Sequence, residues 1–301
     1  MRHSFRLCSV FIPLTAALMC AASTAIAEDE PIQVRLSGLW TGTGPDKTEI
    51  AYLFTSDGNV RWKANRTNII LAYPFGLKAK YQIRPAKPYW EMDLFEFIVN
   101  DPQLKEGRYR AIVEFVDSRT MKIDGKPSNI GERPKNFTQD TITFCCVTKE
   151  DYPRYIKQMA QTVPEKESSW ARAMLHEAGM AAFPALIAHF NDPTPAHSTR
   201  QITGVATIGA ECFEILQYQI EVSLPKAHRD FEILTPENAK QWLDAHQGQS
   251  LAQLRMTSCQ ESLRRAQAEL AKKPSDEFLQ ETVKMLREAI SNMKKESGSR
   301  D

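Results

Sequence analysis

Glu91 and Asp93 stand two residues apart in Trp90-Glu91-Met92-Asp93-Leu94. On an extended strand that spacing puts both carboxylates on one face, roughly 7 Å apart, a separation at which two carboxyl groups serve glycoside hydrolysis as acid and base. The apolar residues that alternate with them favour a simpler reading, in which both carboxylates face solvent from the outside of a half-buried strand. Five histidines (His176, His189, His197, His228 and His246) follow in the second half of the chain. His176-Glu177 lacks the second His of a zinc-protease helix, and His189 and His197 are separated by a Pro-rich loop. These read as surface or capping residues. The chain has no Gly-rich phosphate loop and no Gly-x-Ser-x-Gly elbow. No catalytic residue, metal site or cofactor is therefore expected.

Aromatic residues offer a different chemistry. Trp62, Tyr81, Trp90, Tyr109 and Phe144 fall on stretches that read as strands and are placed to point into a barrel. Small barrels are either filled by their own side chains or hold one small ligand. These five are the candidate contacts for an apolar or aromatic molecule. Among the cysteines, Cys145, Cys146, Cys212 and Cys259 remain if the N-terminus is removed, and four allow three disulfide connectivities. Cys145 and Cys146 are adjacent on a strand, so their side chains leave opposite faces and a bond between them would strain the peptide link. Buried thiols acting as small hydrophobes are the simpler expectation.

The elements that must position these residues begin after a leader. Arg2 and Arg6, the apolar run Leu7–Ala22 and Ala25-Ile26-Ala27 before Glu28-Asp29-Glu30 have the pattern of a cleaved signal peptide over residues 1–27. The run is only about 16 residues long, against the roughly 20 that span a bilayer. An exported, periplasmic or secreted protein with no transmembrane segment after cleavage is expected. Losing Arg2 and Arg6 from 38 basic residues leaves the mature chain within one charge of neutrality against 37 acidic ones. A nucleic-acid partner needs a concentrated basic face, and none is legible. The composition, 42% hydrophobic and 25% charged, is that of an ordinary globular chain.

Residues 32–150 and the remainder follow different periods. Ile50, Tyr52 and Phe54 alternate, Ser56-Asp57-Gly58-Asn59 makes a turn, and Val60-Arg61-Trp62 returns. Further short strands are read at 79–83, 90–94, 109–116, 120–123 and 141–147, enough for an antiparallel sandwich or barrel. After about Asp151 the spacing becomes helical. Trp170, Met174 and Leu175, then Phe183, Leu186, Ile187 and Phe190, mark one buried face, and Val205, Ile208, Cys212, Ile215 and Leu216 continue it. Two last stripes, Leu251 to Leu270 and Phe278 to Met293, predict an antiparallel helical hairpin, with Ser275 capping the second helix. The expected layout is α+β with two domains: a barrel over 32–150, a linker over 151–168, helices over 169–296 and a polar tail over 297–301.

With the strands laid out, the first half resembles a lipocalin-like domain of secreted planctomycete proteins. Leu36-Ser37-Gly38-Leu39-Trp40, Phe54 to Gly58, Lys80-Tyr81-Gln82-Ile83, Pro88 to Leu94, Gly107-Arg108-Tyr109 and Glu132 to Phe137 carry the likeness, from which the stretch Asn65–Leu77 departs. The resemblance implies a small up-and-down barrel and no activity. It also implies structural roles: Gly38 and Trp40 as the Gly-x-Trp that plugs the closed end, with Arg133 expected over the Trp40 ring as a cation-π partner. The segment Glu177 to Ile187, ending at Asn191-Asp192-Pro193, is similar to a HEAT-type helix pair, in which stacked helices form a scaffold for partners. The function expected is a non-catalytic binding protein, its barrel holding a small apolar ligand and its helical half docking a protein. The alternatives are an extracytoplasmic hydrolase with Glu91, Asp93 and a His in a cleft between the domains, and a purely structural envelope component.

Overall fold

The computed structural model describes residues 32–64, 77–98, 107–127, 131–197, 206–221 and 231–298. The leader at 1–27, the Asn65–Leu77 departure up to residue 76, His228 and residues 299–301 lie outside them.

Eight strands form one closed antiparallel barrel: β1 (Gly38–Thr43), β2 (Glu49–Phe54), β3 (Asn59–Ala64), β4 (Leu77–Pro85), β5 (Trp90–Ile98), β6 (Tyr109–Phe115), β7 (Thr120–Pro127) and β8 (Ile142–Cys146). Each pairs with the next, and β8 returns to β1 through Trp40 opposite Cys146 and Gly42 opposite Phe144. This up-and-down order fits a lipocalin-like barrel. Alternation decides the interior. Trp40, Tyr52, Phe54, Val60, Tyr81, Met92, Leu94, Val113, Met121 and Phe144 point inward as one buried cluster. A bulge between β4 and β5 is taken up at Glu96, whose φ is 52°, and Glu96 pairs with Lys80.

A short helix, α1 (Ile32–Leu36), closes one end. Gly38 turns the chain from it into β1 at φ 131°, a conformation that a side chain would strain. Trp40 then lies inside the barrel and donates its indole N–H to the Leu36 carbonyl at 2.8 Å. The Gly-x-Trp pair thus plugs this end.

The helical half consists of α2 (Tyr152–Gln158), α3 (Glu165–Ala178), a 3₁₀ turn (Gly179–Ala182), α4 (Phe183–Ala188), α5 (Ile208–Ile220), α6 (Ala239–Ala245), α7 (Leu251–Lys272) and α8 (Glu277–Gly298). The stretch 151–168 is not the linker expected. Tyr152, Tyr155 and Ile156 fall at helical spacing, and burying them fixes α2 in the core together with Met159 and Trp170. That core passes through the barrel wall: Leu39 and Ala51, facing outward from β1 and β2, belong to the same cluster as α2 to α5. The chain is an α+β protein, a barrel followed by helices that lean on one of its walls.

At the far end of the chain α7 and α8 form the hairpin, with Cys259, Ala266, Leu279, Val283 and Leu286 between them. Ser250 and Gln253 make a capping box for α7. The start of α8 is capped by Asp276 rather than Ser275, since Asp276 Oδ1 accepts from the Leu279 N–H at 3.1 Å. α8 continues to Gly298, through the first part of the stretch expected as a polar tail.

Candidate functional site

The five candidate ligand contacts all face into the barrel, but at different levels. Phe144 and Tyr81 lie in the middle. Tyr52 meets Phe144 at 5.2 Å, Phe54 at 5.4 Å and Trp62 at 6.1 Å between ring centroids, while Tyr81 stands edge-on to Phe54 at 5.2 Å. The Tyr81 hydroxyl donates to the Thr55 carbonyl at 2.9 Å. These rings occupy the centre of the barrel. Trp90, opposite Pro85 and Val113, sits towards the α1 end.

Trp62 and Tyr109 are placed at the end away from α1. The Trp62 ring is partly exposed, yet its indole nitrogen is buried with no hydrogen-bond partner among the described residues. An unpaired buried donor costs about 1–3 kcal/mol, so such a group calls for an explanation. Tyr109 lies flat across Gly125, where an added Cβ would come within 2.6 Å of the ring; only glycine leaves room for it. Burial, followed by the charge of Asp124, pushes the Tyr109 hydroxyl up to about 12, and burial also raises Tyr52 well above the ordinary tyrosine value. Both hydroxyls are neutral donors at physiological pH. Asp124 is 1% exposed; its Oδ2 accepts from the Thr138 N–H at 2.7 Å and from the Thr138 and Thr141 hydroxyls, and its Oδ1 has no partner. Sequence reasoning missed Asp124, because an acidic residue on a strand normally reads as solvated.

Arg133 does not lie over Trp40. It arrives on the segment between β7 and β8, which crosses the outside of the barrel, whereas Trp40 is inside. Its Nη1 donates to the Met92 and Ala111 carbonyls at 3.0 and 2.7 Å, and its Nη2 to Asp93 Oδ1 at 2.6 Å. The cation at the closed end is Arg35 of α1, 4.4 Å from the centre of the Phe115 ring, which meets Trp40 edge-on at 6.3 Å. Arg35 is a basic residue only five positions before Trp40, but the contact runs through a ring 80 residues away in sequence. Arg133 remains structural, as a staple on the outer wall.

Glu91 and Asp93 are on that outer wall, as the alternation implies. Glu91 accepts from Arg84 Nε at 2.7 Å and lies 3.6 Å from Arg133 Nε, and Asp93 is held by Arg133. Two arginines thus neutralise both carboxylates. No described histidine joins them. His189, His197 and His246 each bond a backbone carbonyl within the helical half, and His176 stacks edge-on against Tyr218.

The opposite wall carries the contact with the helices. Glu177, at the end of α3, takes Arg61 at 3.0 Å and Lys63 at 3.2 Å from the outer face of β3. Beside it, burial first, then Arg172 and Lys63, lower His176 to about 4, so its imidazole is neutral at ordinary pH. Of the cysteines, all four described are free: Cys145 is exposed, Cys146 half-buried, and Cys212 and Cys259 buried, with burial raising them to about 12 and about 11.

No protein-family description and no curated protein matches this chain. Among solved structures, the chain is similar to pallilysin (Tp0751) from Treponema pallidum, at 10% identity over 40% of this chain and 84% of that one, with a TM-score of 0.27. A de novo designed fluorescence-activating β-barrel is similar at 9% identity over 38% of this chain and 96% of that one, with a TM-score of 0.24. Among the described residues no helix is long and apolar enough to cross a membrane, and no group of His, Cys, Asp or Glu is arranged to hold a metal ion.

Proposed function

We propose that this is an exported, non-catalytic binding protein. Its barrel takes a small, largely apolar molecule at the end away from α1, and its helical half docks a protein partner. The observation that carries the reading is the buried indole N–H of Trp62, which has no acceptor among the described residues and stands at the end where Tyr109 also lies. Barrel ends are preferred ligand positions, and a few oriented polar groups in an aromatic surround are what such sites use. Trp62 donates to an acceptor on the ligand and its partly exposed ring supplies the stacking surface, backed from the core by Tyr52. Tyr81, Phe144 and Trp90 support the site from below as core. The finer kinship, to secreted planctomycete lipocalin-like proteins and to HEAT-type helix pairs, belongs to the same proposal, as does cleavage after Ala27.

The full chain is incubated with a lipid and metabolite extract, repurified and weighed by native mass spectrometry. A retained molecule is expected, with retention lowered by about tenfold in Trp62→Phe, which keeps the ring but removes the donor, worth about 1.4 kcal/mol. An empty protein, or equal retention by the variant, overturns the ligand reading. Capture of a specific envelope protein by the full chain, lost on substitution of exposed helical residues, is the outcome expected for docking.

A further inference from the structure

A groove of about 480 Å³ lies on the outer wall of the barrel, between the Lys87-Pro88-Tyr89 turn that joins β4 to β5 and the stretch Glu132–Lys135. Arg110 and Ile112 of β6 line it as well, and the volume falls within the roughly 300–1,000 Å³ of small-ligand sites. One side of the groove is held firmly, because Arg133 is engaged by Met92, Ala111 and Asp93. Breaking that staple would leave partly buried charges unpaired.

The other cations are not engaged. Lys87, Arg110 and Lys135 come from three separate segments, and none makes an ion pair or hydrogen bond among the described residues. Arg110 is opposite Asp93 in register, but Asp93 is already held by Arg133; its neighbour on the other side is the exposed Lys126. The Tyr89 ring flanks the groove and is fixed by an edge-on contact with Phe137 at 4.7 Å. We propose that this groove binds an acidic oligosaccharide, with carboxylate or sulfate groups on Lys87, Arg110 and Lys135 and a sugar face against Tyr89.

Three features select that class. A single anion is held by donors that converge on one point, whereas these cations come from a turn, a strand and a crossing segment, an arrangement suited to anionic groups carried at intervals. The amphipathic ring of Tyr89 offers an apolar face to the C–H side of a sugar, and the Glu132 carboxylate, lining the same groove, accepts from hydroxyls. An acidic peptide has less to use, because a closed barrel has no free strand edge for its backbone to extend.

The test is affinity electrophoresis of the full chain through gels containing polygalacturonate, neutral dextran or polyglutamate, with inorganic phosphate as a competitor. Retardation by polygalacturonate and not by dextran or polyglutamate is expected, weakening as salt is raised. The triple variant K87Q/R110Q/K135Q should bind at least about tenfold more weakly at an unchanged Tm; should it fold poorly, R110Q alone should bind about threefold more weakly. Trp62→Phe should migrate as the parent does, which separates this groove from the barrel interior. Absence of retardation, equal retardation by polyglutamate, full competition by millimolar phosphate, or unaltered binding by a folded variant would each overturn the proposal.

Discussion

The two walls of the barrel are built from the same kind of strand and end in different environments. On β1 and β2 both faces are apolar: Trp40, Tyr52 and Phe54 fill the interior, while Leu39, Ala51 and Leu53 face outward into the helices. On β4 and β5 the outward positions include Lys78, Lys80, Gln82, Arg84, Glu91 and Asp93, with Phe95 as the apolar exception, and none of the described helices packs extensively on these strands. A strand buried on both faces loses its alternation, and one buried on a single face keeps it. The covered wall exchanges charge with the helices through Glu177, which takes Arg61 and Lys63, while on the uncovered wall Arg84 with Glu91, Lys80 with Glu96 and Arg133 with Asp93 pair within the barrel half. Of the two candidate ligand surfaces, the outer groove lies away from the helix-covered faces of β1 and β2, whereas Trp62 borders them, between the two strand residues that bond Glu177.

Placing a charge at matched outward positions should separate the walls most sharply. Leu39→Asp buries an unpaired carboxylate beneath the helices and should cost at least about 3 kcal/mol, whereas Lys78→Asp at an exposed position of the other wall, opposite Ile98, should stay within about 0.5 kcal/mol; urea unfolding of both variants measures the difference. Equal effects would mean that the helices do not seal the first wall.

Acid should loosen the covered wall next. The His176 pKa falls to about 4 in the folded protein from an ordinary 6.5. Its neutral form is favoured by folding, so its contribution is fully present above about pH 6.5 and is lost as pH falls from there to about 4, by about 2–3 kcal/mol. Hydrogen exchange in α3 and β3 should accelerate over that window, and His176→Phe should flatten the dependence.

Arg133→Ala tests the staple on the other wall. It removes hydrogen bonds to Met92, Ala111 and Asp93 and should cost about 2 kcal/mol in chemical denaturation, while the interior aromatics keep their near-ultraviolet circular dichroism. Glu177→Gln gives the smallest effect, about 1 kcal/mol, because Arg61 retains solvent on one side. A double-mutant cycle with Lys63→Met should recover most of it as coupling.

Much of the architecture was legible because local chemistry and the fold agree. The alternation of Ile50, Tyr52 and Phe54, the turn at Asp57-Gly58 and the Gly38-x-Trp40 pair each appear in the structure where periodicity puts them. The outward side of Glu91 and Asp93 was legible for the same reason, but not that the segment carrying Arg133 would largely cover them. The stretch 151–168 was misread because its helix is short and carries Pro153 in its first turn, and its order comes from burying Tyr152, Tyr155 and Ile156 against residues far away in sequence. Arg133 was misread because spacing on a loop says nothing about which side of a wall the loop crosses.

The sequence by itself determined the period of each half, the inward set of aromatic residues and the break near Asp151, since these depend on repeats of two or of three to four residues along one chain. The tertiary structure alone decided which wall the helices cover, that Arg35 rather than Arg133 serves the closed end, that the Trp62 indole is left without an acceptor among the described residues, and that Lys87, Arg110 and Lys135 share a groove. Each of these depends on distances between residues tens of positions apart, and such distances are fixed by barrel closure and packing rather than by any local preference.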